Sequence, residues 1–402
     1  MQKYVFFTNS MGGYSGGPSY VCNKLKYLRE YGWDVAVFDS TGDGNAKIEL
    51  KVFKEFESNR YQELYYYPQL LRESRRERVI AEIIEKIGTF EEIVIESDGP
   101  QIAIWGEIIA KRIGAKHIVF ILSENLIIDN QSLYEYLKFK ANRNEMFSIS
   151  VNAYKKLMSK FETAIDAENH YLSALTNVPI EDVVCEELSQ LGKSKFTIGH
   201  LGRYKSYFKY MFQNVADFAR LHQNEAIDFV LLGVDSVSQE LQDILPFNLY
   251  LKCISSRRPI PKRFYDITDV VIATAGCAGA SFRNGAKVIS MDVFNNNPLG
   301  VLGYDTIDTN IRSNNNHYNL SLSETLENVL VKKKYEGNPI YTFPKGRGFD
   351  YHLRFATLSD GKYYDVEKIN IPRNGKISFL IKLDLVGLCS EYRYFMHRWS
   401  LR

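Results

Sequence analysis

The chain has 402 residues, which is enough for about two domains of ordinary size. Hydrophobic residues make up 45% of it and charged residues 24%, values typical of globular proteins, so the disordered and fibrous classes are excluded. The formal net charge of +2 gives no argument for a nucleic-acid-binding protein, and we expect none as a partner.

Short apolar runs alternate with helical patterns through the first half of the chain. Tyr4–Thr8 reads as a first strand and Gly16–Tyr31 as a helix, whereas the charged stretch Lys51–Arg78 is less regular and is expected to be an exposed excursion. Further strands are predicted at Trp33–Phe38, Ile93–Glu96, Ile118–Leu122 and Phe147–Val151, with helices at Gln101–Arg112 and Ser132–Ala141. Strands that alternate with helices predict βαβ units and a parallel sheet.

The same alternation starts again near residue 196. Strands are predicted at Phe196–His200, Phe229–Leu232, Leu249–Ile254, Val270–Thr274 and Lys287–Met291, with a helix at Phe208–His222. The sequence therefore predicts an α/β protein with two Rossmann-like, doubly wound domains, at residues 1–190 and 196–335, and a C-terminal extension at 336–402. Such domains bind ligands at the carboxyl ends of their strands, so the cleft between the domains is the expected site.

A glycine-rich loop lies between the first strand and the first helix. Gly12, Gly13, Gly16 and Gly17 remove side chains, so a ligand can approach backbone N–H groups near the helix N-terminus. The pattern is neither GxGxxG nor a P-loop, which argues against NAD or nucleoside triphosphate binding by those mechanisms. The alternative is a flexible turn between strand and helix.

The segment IGHLGR ends the first strand of the second domain and places Arg203 at the carboxyl edge of the sheet. A guanidinium group there can hold a diphosphate through two hydrogen bonds, and Lys205 and Lys209 follow closely as further cations. The alternative is that Arg203 forms a salt bridge between the domains. His200 is interpreted as a structural residue at the strand end.

A second candidate phosphate site follows the strand at Val270–Thr274. A small-residue loop and a short helix are expected there, and they would present backbone amides and one hydroxyl group to a phosphate. The residues concerned are Gly276, Cys277, Ala278, Gly279 and Ser281. Tight packing of a helix against the sheet also requires small residues, so that reading stays open. The polar segment Asn295–Gly303 follows a strand end. It is either a loop that hydrogen-bonds a sugar or only a turn.

The C-terminal segment is basic and aromatic. Beyond residue 330 basic residues outnumber acidic ones two to one, and aromatic residues interleave with them at Tyr392–Trp399. This pattern predicts either a helix packed back on the body of the protein or weak peripheral contact with an anionic membrane surface. The five cysteines lack metal-binding spacing and no apolar run is long enough to cross a bilayer, so we expect a cytoplasmic protein.

In their order along the chain these motifs resemble those of GT-B glycosyltransferases, in the manner of glycosyltransferase family 4 and its relatives. The glycine-rich first loop and the run LKYLREYGWDVAVFD are similar to the acceptor domain. The segments IGHLGR and DVVIATAGCAGAS are similar to the nucleotide-sugar donor domain. The resemblance covers roughly residues 1–335.

The resemblance implies roles for particular residues. Gly202 and Arg203 match the family's Gly-Arg that binds the donor diphosphate, with Lys209 near the position of its lysine. Glu124 follows the strand that supplies a sugar-contacting or catalytic group, with Glu96 and Asp98 as competitors. The family's ribose-binding glutamate is replaced by Ala280 in this sequence.

The resemblance implies an enzyme that moves a sugar from a UDP- or GDP-sugar to a glycan or lipid-linked glycan, as in cell-surface polysaccharide synthesis. Transfer is expected to be retaining, without a cofactor or metal, because cations and helix N-termini stabilise the departing diphosphate. Two alternatives remain open: a nucleotide-sugar epimerase on the same fold, and a non-catalytic partner subunit that has lost the glutamate pair.

Overall fold

The computed structural model describes residues 1–9, 11, 16–40, 58–123, 126, 128, 130–158, 170–172, 180–257, 259–341, 348–358, 361–371 and 381. The chain separates into two units. The first consists of Met1–Thr176 together with Gly346–Arg402, and the second of Asn177–Lys345. Each unit has its own six-stranded sheet.

The sheet of the first unit is parallel throughout. Its strands are β1 (Gln2–Thr8), β2 (Asp34–Asp39), β3 (Ser58–Arg60), β4 (Glu92–Ser97), β5 (Lys116–Ile121) and β6 (Met146–Ser148). They lie in the order β3-β2-β1-β4-β5-β6, the arrangement of a doubly wound fold. Every residue of β1 after Gln2 is buried, as expected for a central parallel strand covered on both faces.

Five helices of the first unit connect these strands or follow the last of them. They are α1 (Gly16–Glu30), α2 (Glu73–Ile87), α3 (Pro100–Ile113), α4 (Gln131–Asn142) and α5 (Val151–Met158), with 3-10 turns at Gln62–Tyr65 and Pro68–Leu70. Apolar residues recur along α1 at helical spacing, so Val21, Leu25 and Leu28 are buried against the sheet.

The expectation that residues 51–78 form an exposed excursion is wrong for the part that the structure describes, residues 58–78. This part contains β3, which pairs with β2, and the start of α2. Val79, Ile80 and Ile83 on α2 are buried in the core. The charged residues dominate the composition here, but they share α2 with an apolar stripe at a spacing of three to four residues, which buries one face.

The sheet of the second unit repeats the same strand order. Its strands are β8 (Phe196–Leu201), β9 (Ile227–Leu232), β10 (Leu249–Ile254), β12 (Val270–Ala273), β13 (Val288–Met291) and β14 (Pro298–Val301), while β7 (Ile180–Glu181) and β11 (Ile260–Pro261) form a separate short pair. The spatial order is β10-β9-β8-β12-β13-β14. The last strand is antiparallel to β13, so part of the predicted polar loop at Asn295–Gly303 is an edge strand.

The helices of the second unit cover both faces of its sheet. They are α6 (Glu186–Ser189), α7 (Phe208–Leu221), α8 (Gln239–Gln242), α9 (Lys262–Ile267), α10 (Ala275–Arg283) and α11 (Leu322–Leu326), and α11 continues into a π-helical turn at Glu327–Val331. The apolar stripe of α7 packs on the sheet through Met211, Phe212 and Val215, which are fully buried.

The chain returns to the first unit through α12 (Phe349–Leu358) and the segment at 361–371. Nδ1 of His352 lies 3.4 Å from both the Tyr20 hydroxyl group and Lys24 Nζ. The backbone N–H of Tyr364 donates a hydrogen bond of 2.6 Å to Glu107 Oε1. The basic, aromatic run Tyr392–Trp399 lies outside the described residues. Within the described ranges, no helix combines the length and the apolar character needed to cross a membrane.

Candidate functional site

Strand β8 ends in a turn that requires glycine. Gly202 has a φ of 130° and Gly233, at the end of β9, a φ of 109°. A Cβ atom on Gly233 would lie 2.7 Å from the carbonyl oxygen of Gly202, so the two turns pack backbone against backbone. Arg203 follows at the carboxyl edge of the sheet with its side chain exposed. Among the described residues its guanidinium group forms no salt bridge.

Helix α10 begins immediately after β12, without the small-residue loop that the sequence predicts. Thr274 is still extended, with a φ of −139°, and Ala275 already starts the helix. The reason is that Ala275 adopts a φ of 52°, which turns the chain into the helix within one residue. Gly276 and Cys277 therefore occupy the first turn of α10, at the carboxyl end of β12.

The remaining small residues of α10 face the interior. Ala278 and Ser281 are fully buried, and the Ser281 hydroxyl group lies 3.4 Å from that of Tyr265. Gly279 is buried, and a Cβ atom on it would lie 3.3 Å from a nitrogen atom of Arg283. These three residues pack the helix, as the alternative interpretation has it.

The structure brings the two predicted phosphate-binding segments together. A Cβ atom placed on Gly202 would lie 3.5 Å from Cys277 Sγ. Burial raises the pKa of the Cys277 thiol, and the positive charges of Lys205 and Arg203 oppose this shift. Both cations therefore lie near the first turn of α10, and the resulting positive potential suits an anionic ligand.

Two buried polar side chains lie beneath this turn. His200, on β8, is 1% exposed, and within the described ranges neither of its ring nitrogens has a partner with hydrogen-bond geometry. The backbone of Ile272, Gly202 and Arg203 lies close enough to the imidazole to oppose the effect of burial on its pKa. Burial lowers the pKa of His200 to about 4, so the imidazole is neutral at physiological pH. The hydroxyl group of Tyr207 is also buried, with no hydrogen-bond partner in the part of the chain that the structure describes. Burial raises the pKa of this group, with a smaller contribution from Cys277.

Lys209, predicted as a donor-binding residue, lies on α7 with its side chain 75% exposed. Its Nζ atom forms a salt bridge of 2.8 Å with Glu240, and this hydrogen bond raises the pKa of Lys209. The ammonium group is therefore paired on the helix surface. Lys205, which acts electrostatically on both Cys277 and His200, is the lysine that accompanies Arg203 in this structure.

Three residues of the predicted site in the first unit, Glu124, Gly12 and Gly13, lie outside the described residues. Gly16 and Gly17 form the first turn of α1. A Cβ atom on Gly17 would lie 3.8 Å from the Leu122 side chain, an ordinary contact, so packing alone does not require glycine there.

Of the two carboxylates that competed with Glu124, Glu96 is a structural residue. It is 1% exposed and forms a salt bridge of 2.5 Å with Lys24, which is fully buried. The hydroxyl groups of Tyr4 and Tyr20 also donate to it, at 2.5 and 2.6 Å. Because both carboxylate oxygens are occupied within the core, Glu96 is not available to a substrate.

Asp98, the other of these two carboxylates, is half-buried. It follows β4 at the carboxyl edge of the sheet and accepts hydrogen bonds from the Thr8 hydroxyl group and from the backbone and side-chain N–H groups of Asn9. Burial raises the pKa of Asp98 to about 7, although the hydrogen bonds from Thr8 and Asn9 oppose the shift. A carboxyl group with this pKa exchanges protons readily near neutral pH.

A serine, a histidine and a glutamate also meet in the first unit. Ser97 Oγ lies 3.0 Å from His117 Nε2, and His117 Nδ1 lies 2.5 Å from Glu107 Oε2. All three side chains are at most 1% exposed, and a Cβ atom on Gly106 would clash with Ser97 Oγ. No substrate can reach this serine, so the arrangement is a core hydrogen-bond network and not a catalytic triad.

No cluster of three or more histidine, cysteine, aspartate or glutamate side chains suited to a metal ion occurs in the part of the chain that the structure describes. Asp305 and Asp308 are acidic residues close together in the chain, and each accepts a backbone hydrogen bond. The N–H of Val301 donates to Asp305, and the N–H of Ser313 donates to Asp308.

Comparison with known proteins identifies the fold. No protein-family model and no curated protein sequence matches the chain. Among solved structures, a glycosyltransferase from Rickettsia africae ESF-5 is similar with a TM-score of 0.57 and 12% identity, over 97% of this chain and 98% of that one. The Anabaena protein Alr3699/HepE in complex with UDP is similar with a TM-score of 0.54 and 13% identity, over 97% of this chain and 100% of that one. These likenesses and the two Rossmann-like sheets, which are parallel except for β14, show that the chain has the GT-B fold. They do not show that it belongs to family 4 in particular.

Proposed function

We propose that the protein is a glycosyltransferase that transfers a sugar from a UDP-sugar or a related nucleotide diphosphate sugar to a glycan or lipid-linked glycan. The observation that carries this proposal is the arrangement of Arg203, Lys205 and Cys277 around the N-terminus of α10. Two cations and a helix dipole at the carboxyl edge of a doubly wound sheet suit a diphosphate.

The choice of uridine nucleotides draws on the fold neighbours. The structures of Anabaena Alr3699/HepE were determined with UDP and with UDP-glucose. The same fold here, with a positively charged helix N-terminus in the second unit, supports a nucleotide sugar as the co-substrate.

In the proposed mechanism this chain's own cations replace a divalent metal ion. As the bond between the sugar and the diphosphate breaks, negative charge develops on the diphosphate, and Arg203, Lys205 and the amides of the first turn of α10 stabilise it. The resemblance to family 4 implies that the sugar keeps its anomeric configuration.

For the acceptor we propose a contact with Asp98, which lies in the first unit. As a carboxylate, Asp98 accepts a hydrogen bond from a hydroxyl group of the acceptor sugar, and its pKa of about 7 makes this contact depend on pH near neutrality. Glu124 is retained as a second candidate for contact with the sugar, from the resemblance alone.

One observation favours a second candidate function, a non-catalytic partner subunit. Helix α10 carries no acidic residue, and Ala280 stands where the family has its ribose-binding glutamate. A subunit of this kind would bind a nucleotide without turning it over.

A calorimetric titration with UDP, followed by a turnover assay with UDP-sugars, separates these functions. Binding together with sugar transfer to a glycan supports the transferase, and binding without turnover supports the partner subunit. Conversion of the donor sugar in the absence of any acceptor indicates an epimerase. Failure of UDP, GDP and their sugars to bind would falsify the proposal.

A further inference from the structure

A segment far from the recognised motifs crosses the N-terminus of α10. The backbone N–H of Ala275 donates a short hydrogen bond to the carbonyl oxygen of Thr309. The hydroxyl group of Thr274 lies 3.2 Å from the same carbonyl oxygen and 3.0 Å from Asn310 Oδ1. Residues 309–310 therefore lie directly against the helix start, where Arg203 and Lys205 supply positive charge.

Asn310 is held on two sides. Its backbone carbonyl group accepts a hydrogen bond of 3.2 Å from the N–H of Val293, and its side-chain Oδ1 accepts the one from Thr274. The Thr274 hydroxyl group also lies 3.1 Å from the carbonyl oxygen of Met291, so its one proton is shared among three acceptors. With Asn310 Oδ1 facing this hydroxyl group, the two N–H donors on Nδ2 point away from Thr274. Within the described ranges, Nδ2 has no hydrogen-bond acceptor.

Val293 also joins Asn310 to the loop that follows β8. Its carbonyl oxygen accepts a hydrogen bond of 2.9 Å from the Ser206 hydroxyl group, while its N–H donates to Asn310. Ser206 is the neighbour of Lys205 in the chain. The turn after β8, the start of α10 and Asn310 are thus tied together at one edge of the sheet of the second unit.

Two further observations indicate that a ligand belongs at this edge. Beneath the first turn of α10, the buried hydroxyl group of Tyr207 and the buried ring nitrogens of His200 have no partner with hydrogen-bond geometry among the residues that the structure describes. Ala275 has a φ of 52°, a strained conformation for a residue with a side chain, and strain of this kind concentrates at functional sites.

We propose that Asn310 is a donor-binding residue whose side-chain N–H groups hydrogen-bond the diphosphate held by Arg203 and the first turn of α10. This inference rests on the proposed function, because it assigns a residue to the same site. The amide is a neutral donor, so it adds selectivity for phosphate oxygens without adding charge.

The test compares two substitutions of Asn310 by calorimetric titration with UDP. Asn310→Ala removes the donors and should weaken UDP binding about tenfold. Asn310→Asp keeps an oxygen atom for the Thr274 hydroxyl group but places a negative charge beside the phosphates, so it should weaken binding by about a hundredfold or more. Uridine, which lacks phosphates, should bind both variants as it binds the wild type.

The matched control is Asn284→Ala. Asn284 lies at the other end of α10, where it is exposed and donates to the carbonyl oxygen of Ala280, so its loss should leave UDP affinity unchanged. Melting curves establish that each variant is folded, and Asn310→Ala decides the question if the aspartate variant does not fold. Wild-type affinity for UDP in a folded variant overturns the assignment of Asn310 alone. Absence of UDP binding by the wild-type protein overturns the proposed function and this inference together.

Discussion

Lys24 and Glu96 form a salt bridge of 2.5 Å in the core of the first unit, with both side chains at most 1% exposed. Burial alone lowers the pKa of Lys24, and the negative charge of Glu96 opposes that shift. The pair ties α1 to β4, and the hydroxyl groups of Tyr4 and Tyr20 complete its hydrogen bonds.

Breaking this pair should destabilise the protein strongly. Glu96→Gln leaves Lys24 buried without a countercharge, and we expect the free energy of unfolding to fall by about 3–5 kcal/mol in urea denaturation. Glu240→Gln breaks the exposed salt bridge with Lys209 and serves as the matched control, with an unfolding midpoint equal to that of the wild type. Equal midpoints for both variants would contradict a structural role for Glu96.

Arg203→Ala should weaken UDP binding by between tenfold and a hundredfold. The reason is the loss of a charged hydrogen bond to the diphosphate, worth about 1.5–3 kcal/mol. Arg220→Ala is the control, because Arg220 lies on α7 of the same unit and pairs with Asp217. Calorimetry measures both variants, and unchanged affinity in a folded Arg203→Ala protein removes this residue from the site.

Transfer activity should rise with pH through a midpoint near 7, because Asp98 must lose its proton to accept a hydrogen bond from the acceptor. Asp98→Asn should lower the rate at least about a hundredfold and abolish this midpoint. The measurement is the rate at saturating donor between pH 5 and 9. A profile with the same midpoint in the asparagine variant would assign the titration to another group.

The raised pKa of Asp98 also predicts how the stability of the protein depends on pH. Its pKa is raised on folding, so between the unfolded value near 4 and the folded value near 7 the native state binds more protons than the unfolded state. The contribution of Asp98 to stability is therefore largest at acidic pH and is lost as the pH rises through 7. Asp98→Asn should melt at a higher temperature than the wild type at pH 8, and this advantage should shrink toward pH 4.

Transfer activity should survive EDTA, because Arg203 and Lys205 are proposed to neutralise the departing diphosphate in place of a divalent metal ion. The assay is the rate of sugar transfer before and after dialysis against the chelator. A rate that disappears and returns with Mn²⁺ or Mg²⁺ would show that a metal ion takes part.

The sequence pattern predicts most of this fold, because apolar runs of strand length alternate with helical spacing. The predicted strand Leu249–Ile254 agrees with β10 at both ends. Helix α2 was harder to predict, since its apolar stripe lies among arginines and glutamates. Strand β14 is not predicted from the sequence, because it contains proline and glycine and follows three asparagines. Proline and glycine are uncommon in strands but are tolerated at a sheet edge.

Arg203 and Cys277 could be predicted as neighbours because both follow strands at the same sheet edge, and the first turn of α10 does lie beside Gly202. Asn310 could not. It lies in an irregular segment without a motif, and its position depends on hydrogen bonds to Val293 and Thr274 that no periodicity reveals. From the sequence, Asp98 is only one of two alternatives to Glu124. Its raised pKa arises from burial, which the sequence does not reveal.

The return of α12 to the first unit sets an order for folding during synthesis. The core around Tyr20 and Lys24 includes His352, which leaves the ribosome more than 300 residues after them. The second unit, Asn177–Lys345, is continuous in the chain and has its complete sheet before α12 is made. We therefore expect the second unit to reach its native state first on the ribosome. The core of the first unit is completed only after the C-terminal segment has been synthesised.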